Sequence, residues 1–189
     1  ALPIYMIVPK VLADKACLVV MGSEGRKEQM LKTDQDNALI VSDEMDVALY
    51  TPYMQRFSEI LIEFGFPKCE GNIMVSNPYW CKSVSAYKKE LRRWCEMSNM
   101  EDMMNLAIFC DAISVAGDKT MLESLKKAMF DFTRGQDVFM ANFAKAATAF
   151  ETPIGMFTNL IANNNKIDVK KGGIFPIVQG IKSLALQYA

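Results

Sequence analysis

The sequence predicts an α/β domain followed by a helical region, and three observations carry that expectation. Two short, continuous apolar runs, "CLVVM" and "ALIV", are bounded by turn-forming residues, as buried strands are. From Val47 to Phe64 apolar residues recur every three or four positions, the mark of an amphipathic helix. Beyond Gly117 the pattern is almost wholly helical. With 189 residues the chain can bury a substantial core, and the change of pattern divides it into an α/β domain, 1–117, and a helical C-terminal region, 118–189.

Taken in order, residues 1–15 are apolar at near-helical spacing, broken by Pro3 and Pro9, and predict a short helix. Cys17 to Met21 reads as a buried strand ending at Gly22. Ser23 suits a helix cap, so a helical turn is expected from Ser23 to Leu31. A second strand follows from Asp36 to Val41. The long helix through Val47, Tyr50, Met54, Phe57, Ile60, Leu61 and Phe64 stops near Gly65 and Pro67. Gly71 to Pro78 reads as loop or short strand, and Ser83 opens a helix through Tyr87, Leu91 and Trp94. Leu106 to Val115 predicts a buried strand interrupted by Asp111. Helices are expected over Thr120–Phe132, Asp137–Phe150, Thr152–Ala162 and Phe175–Tyr188, with breaks at Arg134-Gly135, Asn163 to Asn165 and Gly172-Gly173.

Composition narrows the chemistry. Lys plus Arg number 21 against 22 Asp plus Glu, so no broad positive field marks a nucleic-acid or anionic-membrane partner. No run approaches the roughly 18 apolar residues needed to span a bilayer, and the start lacks a signal-peptide pattern. The chain therefore reads as soluble and cytoplasmic; without an initiator Met, it also reads as a fragment of something longer. The 5 cysteines are odd in number and form no C-x-x-C pair, so buried free thiols are expected rather than a disulfide framework. Histidine is absent, which removes Ser-His-Asp and Cys-His catalysis and the H-E-x-x-H zinc proteases. Catalysis here must rest on carboxylates, Lys, Ser or a bound metal.

The carboxylates of "TDQDN" supply a candidate. On an extended chain Asp34 and Asp36 point to the same side, about 6.6 Å apart along the backbone. A lone D-x-D is most often a solvated turn. Here, however, the "GSEGR" turn lies just upstream, where a glycine turn and a Ser suit a phosphate, and Arg26 and Lys27 add local positive charge. Asp111, inside an apolar segment, would be costly if unpaired. Three acids on neighbouring strands repel unless a divalent cation sits among them, and hard cations such as Mg²⁺ share oxygen ligands with substrate phosphates. Gly22 and Ser23 would then hold a triphosphate, Asp34 and Asp36 the metal, and Asp111 a second metal position or a proton, an arrangement for metal-assisted nucleotidyl transfer.

The "GS" that ends a strand, the ten residues that follow, the "DQD" entering the next strand and the later acid together resemble the DNA polymerase β nucleotidyltransferase superfamily. More narrowly, "MGSEGRKEQMLKTDQDNALI", "GFPKCEGNIMVSNPYW" and "FCDAISVAGD" are similar to the nucleotidyltransferase domain of bacterial signalling proteins, which is related to the PII-protein uridylyltransferase. The resemblance implies a mixed sheet flanked by helices, a two-metal Mg²⁺ site on Asp34, Asp36 and Asp111, and an NTP as substrate bound by Gly22 and Ser23, to which the local charge of Arg26 adds a further candidate. It also implies N-terminal CBS or cyclic-nucleotide-binding-like domains in the full-length chain, and a helical C-terminal region, "KIDVKKGG" and "GIFPIVQGIKSLAL", that binds substrate.

Weaker candidates have plainer roles beside the functional ones. Arg26 could contact the triphosphate or lie solvated; Glu28 is expected to pair with a neighbouring base rather than bind metal. Trp80, with Asn77, Pro78 and Tyr79, could stack on a base, but an aromatic anchor packing a loop on the core is the stronger reading. Lys170 and Lys171, beside Asp168, read as a solvated turn, and "KKELRR" as a basic helix face without a basic background. Two functions follow: transfer of a nucleoside monophosphate from an NTP to a protein or small-molecule acceptor, or a non-catalytic nucleotide-binding or docking module of a larger regulatory protein.

Overall fold

The computed structural model describes residues 7–29, 31–97, 99–148 and 173–188. Its centre is a four-stranded mixed sheet: β1 (Ala16–Val20), β2 (Asn37–Val41), β3 (Cys81–Ser83) and β4 (Ile113–Gly117), in the order β3-β2-β1-β4. β1 runs antiparallel to both β2 and β4, whereas β2 and β3 are parallel. Every residue of β1 and β2 is buried. That explains why both read as unbroken apolar runs, since a central strand is covered on both faces.

Leu18, Leu39 and Val41 face a cluster with Tyr50, Met54 and Val75. The alternate side chains, among them Cys17, project to the other face, where the Cys17 thiol meets the backbone of Leu122. The helices that accompany these strands along the chain are α1 (Lys10–Ala13), α2 (Gly22–Gly25), α3 (Thr51–Glu63), α4 (Val84–Met97), α5 (Met100–Cys110) and α6 (Lys119–Thr133). Tyr87, Leu91 and Trp94 are fully buried along α4, at the helical spacing the sequence shows. Two further helices, α7 (Asp137–Thr148) and α8 (Phe175–Tyr188), complete the described α-helices.

The chain forms two compact units: Ala1–Arg93 with Ile108–Met129, and Trp94–Ala107 with Phe130–Ala189. The first holds the sheet. In the second, Gln179 of α8 donates to the Phe143 carbonyl of α7 (3.1 Å), and Lys182 donates to the Ala107 carbonyl (2.8 Å).

Three expectations need correction. Leu106 to Cys110 is helical rather than the start of a strand, and only Ile113–Gly117 pairs with β1. A short apolar run carries no decisive period; here Asn99 caps the helix by accepting from the Asp102 N–H (2.9 Å), and Asp102, Asn105, Leu106 and Phe109 are buried at helical spacing. Asp111 accordingly lies in the turn before β4. The strands carrying the acids are not neighbours either, because β1 lies between β2 and β4. Finally, Cys81–Ser83 is a strand that the sequence left unmarked, and the helix opens one residue after Ser83.

Boundaries elsewhere shift modestly. The helical turn near Ser23 is confined to Gly22–Gly25, and the first helix to Lys10–Ala13. Residues 1–6, the expected Thr152–Ala162 helix, and Asp168, Lys170 and Lys171 lie outside the described residues. None of the described helices is long and apolar enough to cross a membrane.

Candidate active site

The antiparallel register sets Val20, at the end of β1, opposite Asn37, at the start of β2. One step further out, the Met21 N–H donates to the Asp36 carbonyl (2.8 Å). The chain then turns at Gly22, whose φ of +56° lies in the left-handed region that glycine enters without steric cost. A Cβ at Gly22 would lie 2.4 Å from Asp36 Oδ2. The glycine therefore makes room for a carboxylate lying directly on the turn.

Asp34 and Asp36 flank Gln35, which is 1% exposed and reaches inward to the carbonyls of Ser58 (3.4 Å) and Phe66 (3.3 Å). With Gln35 anchored, alternation sends the two aspartates to the opposite side, where both remain half-buried. The loop after α3 is clipped to the same place: the Asn37 N–H donates to the Ile73 carbonyl (3.0 Å), and the Val75 N–H to Asn37 Oδ1 (2.8 Å). This brings in Cys69, so that Asp34, Asp36 and Cys69 each offer a ligand atom and these atoms all lie within 4.8 Å of one another.

The local field is negative. Burial first, and then the charge of Asp36, raise the Glu24 carboxyl above its ordinary range. Burial is also the main cause pushing the Cys69 thiol up to about 11; Asp36 adds to it, and the backbone N–H groups of Ile73 and Gly71 oppose it. At neutral pH the thiol is thus protonated, and the hard oxygen donors are the two aspartates. A divalent cation is suited to that pair: carboxylate oxygens are its preferred ligands, and it relieves their mutual repulsion.

Asp111 stands apart from this group. Its carboxylate is paired with Arg26 Nη1, and the same guanidinium takes Glu28 through Nε and Nη2, both at 2.9 Å. Glu28 therefore pairs with a base, as expected. Burial tends to lower the Arg26 pKa, but the two carboxylates outweigh it and raise the value. Gly25 fits between these parts because a Cβ there would come within 2.2 Å of the Asp111 carbonyl oxygen. Lys126 approaches the same turn, donating to the Cys110 carbonyl (3.5 Å).

The remaining candidates fall into structural roles. Trp80 is 2% exposed and packs edge-on to Tyr79 (5.5 Å between ring centres), an aromatic anchor rather than an open stacking surface. Asn77 caps that segment, accepting from the Tyr79 N–H (3.0 Å). Among the described residues all five cysteines are free. Cys69 differs from the others in its sequence context: it lies in the loop "FPKCEGN", whereas the rest lie in strands or helices. That placement was the one available signal for a residue that sequence reasoning assigned to packing.

Residues 6–101 match the family model described as "Putative nucleotidyltransferase DUF294". The chain belongs to this family. Residues 137–189 match a second model, described as "Putative nucleotidyltransferase substrate binding domain", in agreement with the resemblance drawn from the motifs. No curated protein and no solved structure matches the chain. Gly22, Ser23, Arg26, Asp34, Asp36 and Cys69 fall inside the first family span, while Asp111 lies between the two. The second span covers α7 and α8, where a cavity of about 380 Å³ is lined by Arg134, Gln136, Asp137, Ser183 and Gln187, among others.

The Arg26–Asp111 pair has a measurable consequence. The Asp111 side chain is only 6% exposed and that of Arg26 is 19% exposed, so Arg26→Met would leave a nearly buried carboxylate without this partner. We expect a loss of about 2 kcal/mol in urea unfolding, below the range for fully buried pairs because Arg26 reaches solvent. Adding Asp111→Asn should recover most of that loss; no recovery would show that the pair is not the source.

Proposed function

We propose that this chain transfers a nucleoside monophosphate from an NTP to an acceptor hydroxyl, using a divalent cation, most simply Mg²⁺, held by Asp34 and Asp36. The observation that carries this reading is that the Asp36 carboxylate lies directly on the Gly22 turn, with a ligand atom of Asp34 within 4.8 Å of its own. Family membership supports it independently.

The bound cation would supply charge neutralisation along the polyphosphate and polarise the phosphoryl group under attack. The protein's own residues do the positioning. Asp34 and Asp36 fix the cation relative to the turn, and Gly22 lets the backbone approach the polyphosphate closely. Ser23, next in the turn, offers a hydroxyl and an N–H to its oxygens. Arg26, tied to Asp111 and Glu28, holds the far end of the turn. Asp111 accordingly acts through Arg26, as a positioning residue. The acceptor, a protein side chain or a small molecule, would be presented by the region matching the substrate-binding model, and the signalling setting follows from the resemblance alone.

The test is direct. The protein is incubated with labelled NTPs, Mg²⁺ and candidate acceptors, itself included, and pyrophosphate release is measured together with transfer of label. Release that depends on both the cation and the aspartates supports the proposal. Nucleotide binding without release, unchanged by Asp34→Asn plus Asp36→Asn, would instead establish a non-catalytic module.

A further inference from the structure

We propose that Asp34, Asp36 and Cys69 form a binding site for one thiophilic divalent cation of the zinc class, which competes with Mg²⁺ for the two carboxylates. The inference builds on the nucleotidyl-transfer reading, sharing its aspartates but adding a ligand of different chemistry.

The geometry supplies the argument. Around a tetrahedral ion with the usual zinc bond lengths, ligand atoms lie about 3.5 Å from one another. The three atoms here already lie within 4.8 Å, and side-chain torsions close the remainder. Sulfur is the wrong donor for Mg²⁺, which demands oxygen, and the right one for Zn²⁺ or Cd²⁺. The cysteine is also held in place: its carbonyl accepts from the Asn72 N–H (2.9 Å), and the loop is fastened to β2 through Ile73 and Val75.

On binding, the Cys69 S–H bond breaks, its proton passes to solvent, and the sulfur lone pair forms the bond to the metal. Mg²⁺ takes oxygen ligands, so with it the two aspartates act alone. One centre can therefore hold either of two ions, of which the softer takes three protein ligands and the harder two.

Cd²⁺ serves as the probe, because a sulfur–cadmium bond gives an ultraviolet charge-transfer band that carboxylates do not. The native chain should show the band saturating at one equivalent, and excess Mg²⁺ should weaken apparent Cd²⁺ affinity. The band should vanish in Cys69→Ser and persist in Cys110→Ser, and affinity should fall at least about tenfold in Asp34→Asn. Absence of the band in the native chain, its persistence in Cys69→Ser, or indifference to Mg²⁺ would overturn the proposal; the Mg²⁺ competition requires no variant to fold. The two readings fail separately: a band without pyrophosphate release refutes nucleotidyl transfer alone, and Mg²⁺-dependent release without a band refutes the zinc-class site alone.

Discussion

Asp36→Asn is expected to lower pyrophosphate release by about a thousandfold, roughly 4 kcal/mol of transition-state stabilisation, while leaving the fold intact. The substitution keeps the shape of the side chain against Gly22 and removes only its charge. Asp36 lies directly against the turn, its Oδ2 2.4 Å from the position a Gly22 Cβ would take. Its charge is a cost to the cation-free protein, being one cause of the upward shift at Glu24 and at Cys69. The variant should therefore melt no lower than the parent without divalent ions.

Addition of Mg²⁺ with NTP should then raise the melting temperature of the parent and not of the variant, because only a ligand bound by the folded state shifts it. This pairing of measurements separates a lost ligand from a damaged fold. An Asp36→Asn protein that releases pyrophosphate within tenfold of the parent rate would remove Asp36 from the chemistry.

The parts of this molecule legible from sequence are those whose causes are local. β1 and β2 are buried on both faces and so write themselves as apolar runs, and the ends of α8 fall where Phe175 and Tyr188 were expected. Asp34 and Asp36 owe their common direction to alternation around Gln35, which needs no knowledge of the rest of the chain. The Leu106–Cys110 tail of α5 has a strand's composition and reads as one, and what makes it helical is the cap at Asn99 together with buried polar residues one turn apart. Arg26 and Asp111 are separated by 85 positions, and Cys69 reaches Asp34 and Asp36 only because Ile73 and Val75 bond to Asn37. Such contacts depend on where the strands end up, which no local pattern encodes.

Gly25→Ala should couple stability to the site. A Cβ at Gly25 would stand 2.2 Å from the Asp111 carbonyl oxygen and 3.1 Å from that of Val20, and both obstacles are backbone. Neither can swing aside as a side-chain end could, so α2 must lift away from β1 and from the turn before β4. Overpacking of this kind costs about 3 kcal/mol, which lowers the melting temperature by on the order of 10 °C for a chain of this size. The same displacement carries the Gly22 turn away from Asp36, so folded Gly25→Ala should have lost at least tenfold in pyrophosphate release. Gly117→Ala is the matched control: its Cβ would meet the Ala16 carbonyl oxygen at 2.0 Å with φ at +83°, but it pairs with Cys17 at the opposite end of β1. It should melt at least as early as Gly25→Ala yet retain the parent rate per folded molecule. Equal loss of rate in both variants would mean that activity simply follows stability, and that the placement of α2 between Asp36 and Asp111 has no separate part in it.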